Sequence, residues 1–395
     1  MSPTSSLDGK SNFCDPATET LRLSHLSQGD NLKPHFDRII LGHRSEMKLL
    51  KNTWYVAAWS HEIGESFTTR ELLGEPVLLY RKNDGTPVAM IDRCPHRFAP
   101  LSLGKRVGDS IECGYHGLQF DCSGACTFNP HGDGRIPQAA RVQTFPAVDR
   151  HGLVWFWAGD LARANASQIP DYSHLVSRRL KTIGDRMIQN AHYELVVDNL
   201  MDLSHVNYLH APYQQVDDFL RADHRVVQDG ATLESLRTVT STRAPQSFRP
   251  FLDDPDATVE YWLNIRWHAP GCCVLETGVV PVGEPREKGL VRIGTHIVTP
   301  VSAHCTQYVY ASSRNYRLED PLADDETTRW QKIGFHEQDK PMIEAVQARM
   351  GDGELLSMRP ILLATDGAAI RARRLLAAMI DEEARQNEHA TTVLA

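Results

Sequence analysis

The sequence predicts an α+β protein, an all-β unit followed by a larger unit that mixes sheet and helices. Three observations carry this. Short β-prone runs separated by Gly and Pro turns fill residues 47 to 160. Longer strand-like segments follow, bracketed by helix-like ones. The 395 residues suffice for about two to three domains, and 41% hydrophobic with 23% charged residues is an ordinary globular composition.

Residues 1–46 are polar and lack a sustained apolar period, so they are expected to be an N-terminal extension, mobile or subunit-contacting. From Trp54 the texture becomes that of strands. Pro76–Tyr80 and Val88–Ile91, separated by Asn83-Asp84-Gly85, predict a hairpin, and Leu153–Trp157 predicts another strand. The stretch Gly159–Pro170, rich in Ala, Asn and Ser, marks a boundary, giving domains at 47–165 and 166–395. Beyond it Tyr193–Asp202 reads as a helix, and Thr258–Asn264, Val291–Val298 and Thr306–Ala311 as strands. A helical stretch from Asp324 to Met350 is interrupted at Pro341. In a last helix, Ala368–Ala384, the residues Ala372, Leu375, Leu376, Met379 and Ile380 form an apolar stripe.

Composition excludes several classes of function. A net charge of −8, from 42 basic and 50 acidic residues, offers no electrostatic footprint for nucleic acid. No run of 18 uncharged apolar residues could span a membrane, and the first residues do not resemble a secretory signal, which predicts a cytoplasmic protein. Eight cysteines are too few for a disulfide scaffold, so clustered Cys and His are expected to bind metal or act in catalysis.

Two such clusters exist. Cys94-Pro95-His96 and, after 16 intervening residues, Cys113-Gly114-Tyr115-His116 provide two thiolates and two imidazoles. That set can hold one zinc, or a two-iron cluster with the thiolates on one iron and the histidines on the other. The spacing favours the cluster: zinc sites usually pair Cys with Cys and His with His, whereas here each loop supplies one of each. Four ligands being present, Cys122 and Cys126 are expected to be loop or core residues. In the second cluster Asp202 and His205 lie three apart, on one face of a helix, while His210 lies five further on, about 140° off that face. The helix must therefore bend or end if both rings are to reach one metal. Two histidines with one carboxylate form the facial set of non-haem Fe(II) oxygenases.

With Arg97 after the first pair and Gly114–Gly117 around the second, the first cluster resembles the Rieske family. Asp198, Asp202, His205 and His210 reproduce the Asp-x3-Asp-x2-His-x4-His spacing of Rieske non-haem iron aromatic oxygenases. Residues 94–102, 197–203, 294–296 and 312–315 read like the monooxygenase branch of vanillate and dicamba O-demethylases. The resemblance covers residues 47–385. It implies an N-terminal all-β Rieske domain followed by a catalytic domain of mixed antiparallel sheet plus helices. It further implies a [2Fe-2S] cluster on Cys94, His96, Cys113 and His116, and a mononuclear Fe(II) on His205, His210 and Asp339, with Glu337 as the competing carboxylate. Pro341 is expected to kink the helix that carries Asp339. Asp202 resembles an inter-subunit electron bridge from His116 of a neighbour to His205 of its own subunit, in a homotrimer; Asn199 belongs to the same segment.

The resemblance also implies electrons from NAD(P)H delivered by a ferredoxin or flavin reductase, since no dinucleotide fingerprint occurs in this chain. O2 is the co-substrate, and hydroxylation of a methoxy or N-alkyl carbon gives a hemiacetal or carbinolamine that collapses to a phenol or amine and an aldehyde. Arg93, Arg97, Lys105 and Arg106 form a basic rim suited to an acidic ferredoxin. His296 and Trp330 match substrate-contacting positions, and Leu275 replaces a polar one. This favours a neutral anilide or aryl ether. The other readings are a ring-dihydroxylating oxygenase and, in another class, a Rieske electron carrier.

Overall fold

A computed structural model describes residues 47–394 except positions 212, 218, 220 and 221, so the expected extension at 1–46 lies outside the described residues. The first domain contains β1 (Trp54–Trp59), β2 (Thr68–Leu72), β3 (Glu75–Arg81), β4 (Pro87–Ile91), β5 (Lys105–Val107), β6 (Ser110–Glu112), β7 (Gln119–Phe120), β8 (Cys126–Phe128), β9 (Thr144–Phe145), β10 (Ala147–Arg150) and β11 (Leu153–Trp157). They form three small sheets, ordered β1-β11-β10, β2-β3-β4-β9 and β5-β6-β7-β8. The expected hairpin is β3–β4: Arg81 pairs with Pro87, and Gly85, at φ 83°, supplies the left-handed residue of the turn.

The second domain is built on one seven-stranded antiparallel sheet. Its strands are β12 (Lys181–Gln189), β13 (Asp223–Asp229), β14 (Thr232–Arg243), β15 (Thr258–His268), β16 (Cys272–Pro281), β17 (Leu290–Ser302) and β18 (Cys305–Arg314), in the order β12-β18-β17-β16-β15-β14-β13. Several are longer than predicted. Polar residues such as Arg266 and His268 lie on the strand's alternate positions and pair with β14 regardless of polarity. The helices are α1 (Tyr193–Met201), α2 (Pro321–Gln331), α3 (Lys340–Met350) and α4 (Gly367–Leu394).

The interruption expected at Pro341 takes the form of a π-helical segment, Lys332–Asp339, between α2 and α3. The backbone stays helical through Asp339 and Lys340, so Pro341, which lacks an N–H, leaves the preceding turn without one helical donor. Single-turn π segments are rare and concentrate at functional sites.

Period-two alternation gives the large sheet two different faces. Cys272, Ile297, Val309 and Ala311 pack against Trp54, Trp155 and Trp157 of the first domain. Thr299 Oγ1 donates to the Val56 carbonyl at 2.8 Å, and Gln307 Nε2 to the same oxygen at 3.1 Å, so β1 lies directly against the back of β17 and β18. The opposite face carries Cys273, Val279, Val298, Tyr308 and Tyr310, packed with α1 and α4. Arg373 on α4 joins these helices: it donates to Asp198 and Glu194 of α1, both at 2.6 Å.

Candidate active site

The residues of the first cluster lie on two loops that share one backbone pattern. In each, the Cys carbonyl accepts the N–H four residues on (Phe98 and Gly117, both at 2.9 Å), and the Cys N–H donates to the carbonyl five on (Ala99 and Leu118, both at 2.8 Å). The fourth residue has positive φ in both, 60° at Phe98 and 71° at Gly117. Cys94 and Cys113 are buried side by side; burial, with the neighbouring thiol adding to it, pushes Cys94 up to about 11. The rings of His96 and His116 lie 4.5 Å apart, and His116 Nδ1 is buried without a hydrogen-bond partner. Two adjacent thiols, two facing imidazoles and an orphaned ring nitrogen fit a bridging two-iron cluster. Cys122 is exposed and Cys126 is half-buried on β8, packed at the edge of the core that holds Cys94 and Cys113.

The second cluster forms where helix α1 stops. Asp202, at φ −104° and ψ 86°, ends α1, and its carboxylate caps a short 3₁₀ turn at Leu203–Asn207 by accepting the Ser204 N–H at 3.0 Å. The helix thus ends as the spacing of the two histidines required. His205, His210 and Asp339 offer ligand atoms within 4.8 Å of one another. Asp339 Oδ1 lies 3.7 Å from His205 Nε2 and 3.4 Å from His210 Nε2. Each ring is fixed through its other nitrogen, His205 Nδ1 to the Asp202 carbonyl at 2.6 Å and His210 Nδ1 to Gln338 Oε1 at 2.9 Å. That orientation turns both Nε2 atoms towards the carboxylate, as metal-bound histidines require. Asn199 Nδ2 donates to Asp339 Oδ1 at 3.2 Å. Burial, outweighing the pull of Asp339, pushes His205 below the usual histidine range. For His210, the Asp339 hydrogen bond and charge overcome burial and raise it. A buried carboxylate facing two imidazoles fits a divalent cation.

One expectation needs revision here. The contact from Asp202 to His205 is made by the backbone carbonyl, because the carboxylate is engaged in capping. Glu337 points outward, its nearest cation Lys332 at 4.0 Å, while Asp339, two positions on, is buried.

His205, His210 and Asp339 border a cavity whose lining includes Leu275, His296 and Trp330. His296 Nδ1 shares a 2.5 Å hydrogen bond with the Tyr308 hydroxyl, while its Nε2 has no partner; burial pushes it down to about 4. Gly294 makes room for this ring, since a Cβ there would lie 2.7 Å from His296 Nε2. The lining is less apolar than the sequence suggested, for Thr277 and Arg292 also belong to it. Arg292 could have been found in the sequence, being in step with Gly294 and His296 at the strand period; nothing in the spacing marked Gln338. The basic rim is also weaker than expected. Arg93 pairs with Glu75, Lys105 with Glu112, and Arg106 donates to the carbonyls of Glu65 and Gly108, which leaves Arg97 exposed and in no ion pair among the described residues.

Two family models match the chain: the Rieske [2Fe-2S] domain over residues 53–146, and the vanillate O-demethylase oxygenase C-terminal domain over residues 189–382. The dicamba O-demethylase oxygenase component of Stenotrophomonas maltophilia is 38% identical over 83% of this chain and 97% of its own length. The chain belongs to the Rieske oxygenase family. The chloroacetanilide N-alkylformylase oxygenase component of Rhizorhabdus wittichii (strain DC-6 / KACC 16600) is 39% identical over 85% of this chain and 97% of its own length. The crystal structure of dicamba monooxygenase bound to dicamba, 37% identical, superposes with a TM-score of 0.80 over 85% of this chain and 99% of that one. This Rieske oxygenase is therefore the oxygenase component of a monooxygenase system, with a [2Fe-2S] domain and a separate catalytic domain, which sets aside the electron-carrier reading. Among the described residues no helix is long and apolar enough to cross a membrane.

Proposed function

We propose that this oxygenase removes an N- or O-alkyl group from a substituted aromatic, an anilide or aryl ether, using O2. The observation that carries the reading is the convergence of His205, His210 and Asp339 on the border of a cavity walled by Leu263, Leu275, Trp330 and Phe335. An Fe(II) held there would supply the activation of dioxygen, and a [2Fe-2S] cluster on Cys94, His96, Cys113 and His116 the electrons. The remaining work belongs to the protein. Asp202 and Gln338 fix the two imidazole planes, Asn199 restrains the carboxylate, and Leu275, His296 and Trp330 position the ring.

The electrons come, on this reading, from NAD(P)H through a ferredoxin or flavin reductase in the cytoplasm, and the working unit is a homotrimer. Two exposed apolar surfaces support the trimer. Phe98 and Tyr115, beside His96 and His116, are 72% and 63% exposed. A groove bordered by Asp202 and His205 includes Met342, Ile361 and Leu362. Docking of the first surface of one subunit on the groove of the next would bring His116 to Asp202. The deciding experiment supplies NADH, a reductase and a ferredoxin, and screens anilides and aryl ethers. An aldehyde released with a phenol or amine is the expected result; a ring cis-diol without aldehyde contradicts dealkylation.

A further inference from the structure

We propose that Tyr308 and Tyr310 form an electron relay that draws oxidising equivalents out of the mononuclear site towards His336 when dioxygen is reduced there without a substrate to attack. The inference rests on the iron site proposed above and not on which substrate is dealkylated.

Both tyrosines stand on one face of β18, buried, with ring centres 5.7 Å apart. Each hydroxyl meets an imidazole, Tyr308 at His296 Nδ1 (2.5 Å) and Tyr310 at His336 Nε2 (2.7 Å). Along the series His296, Tyr308, Tyr310, His336 the successive ring separations are 6.0, 5.7 and 5.8 Å, so neighbouring rings touch and an electron can pass between them. The series has a direction. His296 borders the cavity that holds the iron ligands, whereas His336, at the other end, is half-buried on the π segment. Burial raises both phenols; the charge of Asp339 adds to it at Tyr308, and that of Asp185 at Tyr310.

What sets these two tyrosines apart is the partner of the hydroxyl. Tyr55, Tyr80 and Tyr172 are as deeply buried, but they donate to the backbone carbonyls of Leu50, Asp109 and Cys273, which cannot take up a proton. A buried phenol resists ionising, so it gives up an electron readily where its proton can move at the same time to a base. Burial holds His336 below the usual histidine range and His296 at about 4, so both rings are neutral near physiological pH and able to accept that proton. Trp330 touches the His210 ring, 5.5 Å between centres, yet offers no comparable exit. The next ring beyond it, Tyr213 at 5.6 Å, carries the Arg329 guanidinium 5.7 Å above its face, a cation that opposes loss of an electron. Phe335 lines the cavity and packs on both relay tyrosines, at 6.2 Å from Tyr308 and 5.0 Å from Tyr310, which walls them from the substrate.

The oxidant derived from dioxygen takes one electron from Tyr308, whose proton shifts to His296 Nδ1. Tyr310 then gives one electron to Tyr308, the proton on His296 returns, and the Tyr310 proton passes to His336 Nε2. The net change is one electron gained by the oxidant, and one electron and one proton lost by Tyr310. A soluble thiolate at the surface returns the electron, becoming a thiyl radical, and His336 returns the proton.

The test mixes the iron-loaded full chain, reduced and free of substrate, with hydrogen peroxide and freezes it for electron paramagnetic resonance. A tyrosyl signal is expected, narrowed when the protein is made with ring-deuterated tyrosine. Tyr310→Phe should lose the signal at unchanged iron content, and peptide mass spectrometry should then find more oxidation on His205, His210 and Trp330. His336→Gln leaves the phenol and a hydrogen-bond acceptor but no base, and should lose the signal too. Native protein without a tyrosyl signal overturns the proposal. So does a tyrosyl signal that survives Tyr310→Phe, or a tryptophanyl one that disappears in Trp330→Phe. Should Tyr310→Phe fail to fold, the native signal and His336→Gln decide alone. Aldehyde release is assayed separately with substrate, so a reaction other than dealkylation would leave the relay standing.

Discussion

Asp339 holds the proposed mononuclear site together, because its carboxylate faces two imidazoles that other residues have already oriented. Asp339→Asn should lower iron from about three to about two atoms per chain, with the Rieske absorption unchanged. Glu337→Gln, altering an outward side chain, should leave iron content and dealkylation as they were; metal analysis of both variants checks the assignment. Gln338→Ala removes the acceptor at His210 Nδ1 and should weaken iron binding about 10- to 100-fold, read by competition with a chelator. His205 and His210 were legible from their spacing, because the chemistry demands a pair. Gln338 was not, since a residue that touches metal only through another carries no spacing of its own.

At the scale of elements, the site depends on two departures from regular helix. The end of α1 at Asp202 frees a carbonyl for His205, and the π segment at Lys332–Asp339 buries Asp339 while Glu337 stays outside. The sequence signalled an interruption through Pro341, yet a π turn has no composition rule, so its position and the inward residue could be seen only in the fold. The strands β13 and β14 were missed for a related reason, as charged residues on their open positions mask the alternation. The α1–α4 contact rests on Arg373, buried between Asp198 and Glu194. Arg373→Ala should destabilise the fold by about 3–5 kcal/mol, measured by denaturant unfolding, because two buried carboxylates lose their partner. Gly294→Ala should displace the His296 ring and weaken substrate binding while iron content holds, since the added methyl meets the ring and not the ligands.

At the scale of the whole molecule, buried neutral histidines set the acid limit. Burial lowers His174, His192 and His296 to about 4 from an ordinary 6.5. The unfolded chain therefore binds protons the folded one refuses, and these residues cost nothing above pH 6.5 but lower stability as the pH falls from 6.5 towards 4. Thermal unfolding from pH 7.5 to 5 should show a falling midpoint, and His192→Gln should flatten that slope if the variant folds. The proposed trimer makes its own prediction. His116→Ala and Asp339→Asn chains should each be inactive alone, and co-assembled equal mixtures should recover about a quarter of native activity if electrons cross between subunits. The central claim is that one chain carries both iron centres. It is tested most directly by electron paramagnetic resonance of the iron-replete protein, reduced with dithionite and then exposed to nitric oxide. The account predicts a rhombic Rieske signal together with a high-spin ferrous-nitrosyl signal, the latter lost in Asp339→Asn; a Rieske signal alone in the native protein would contradict it.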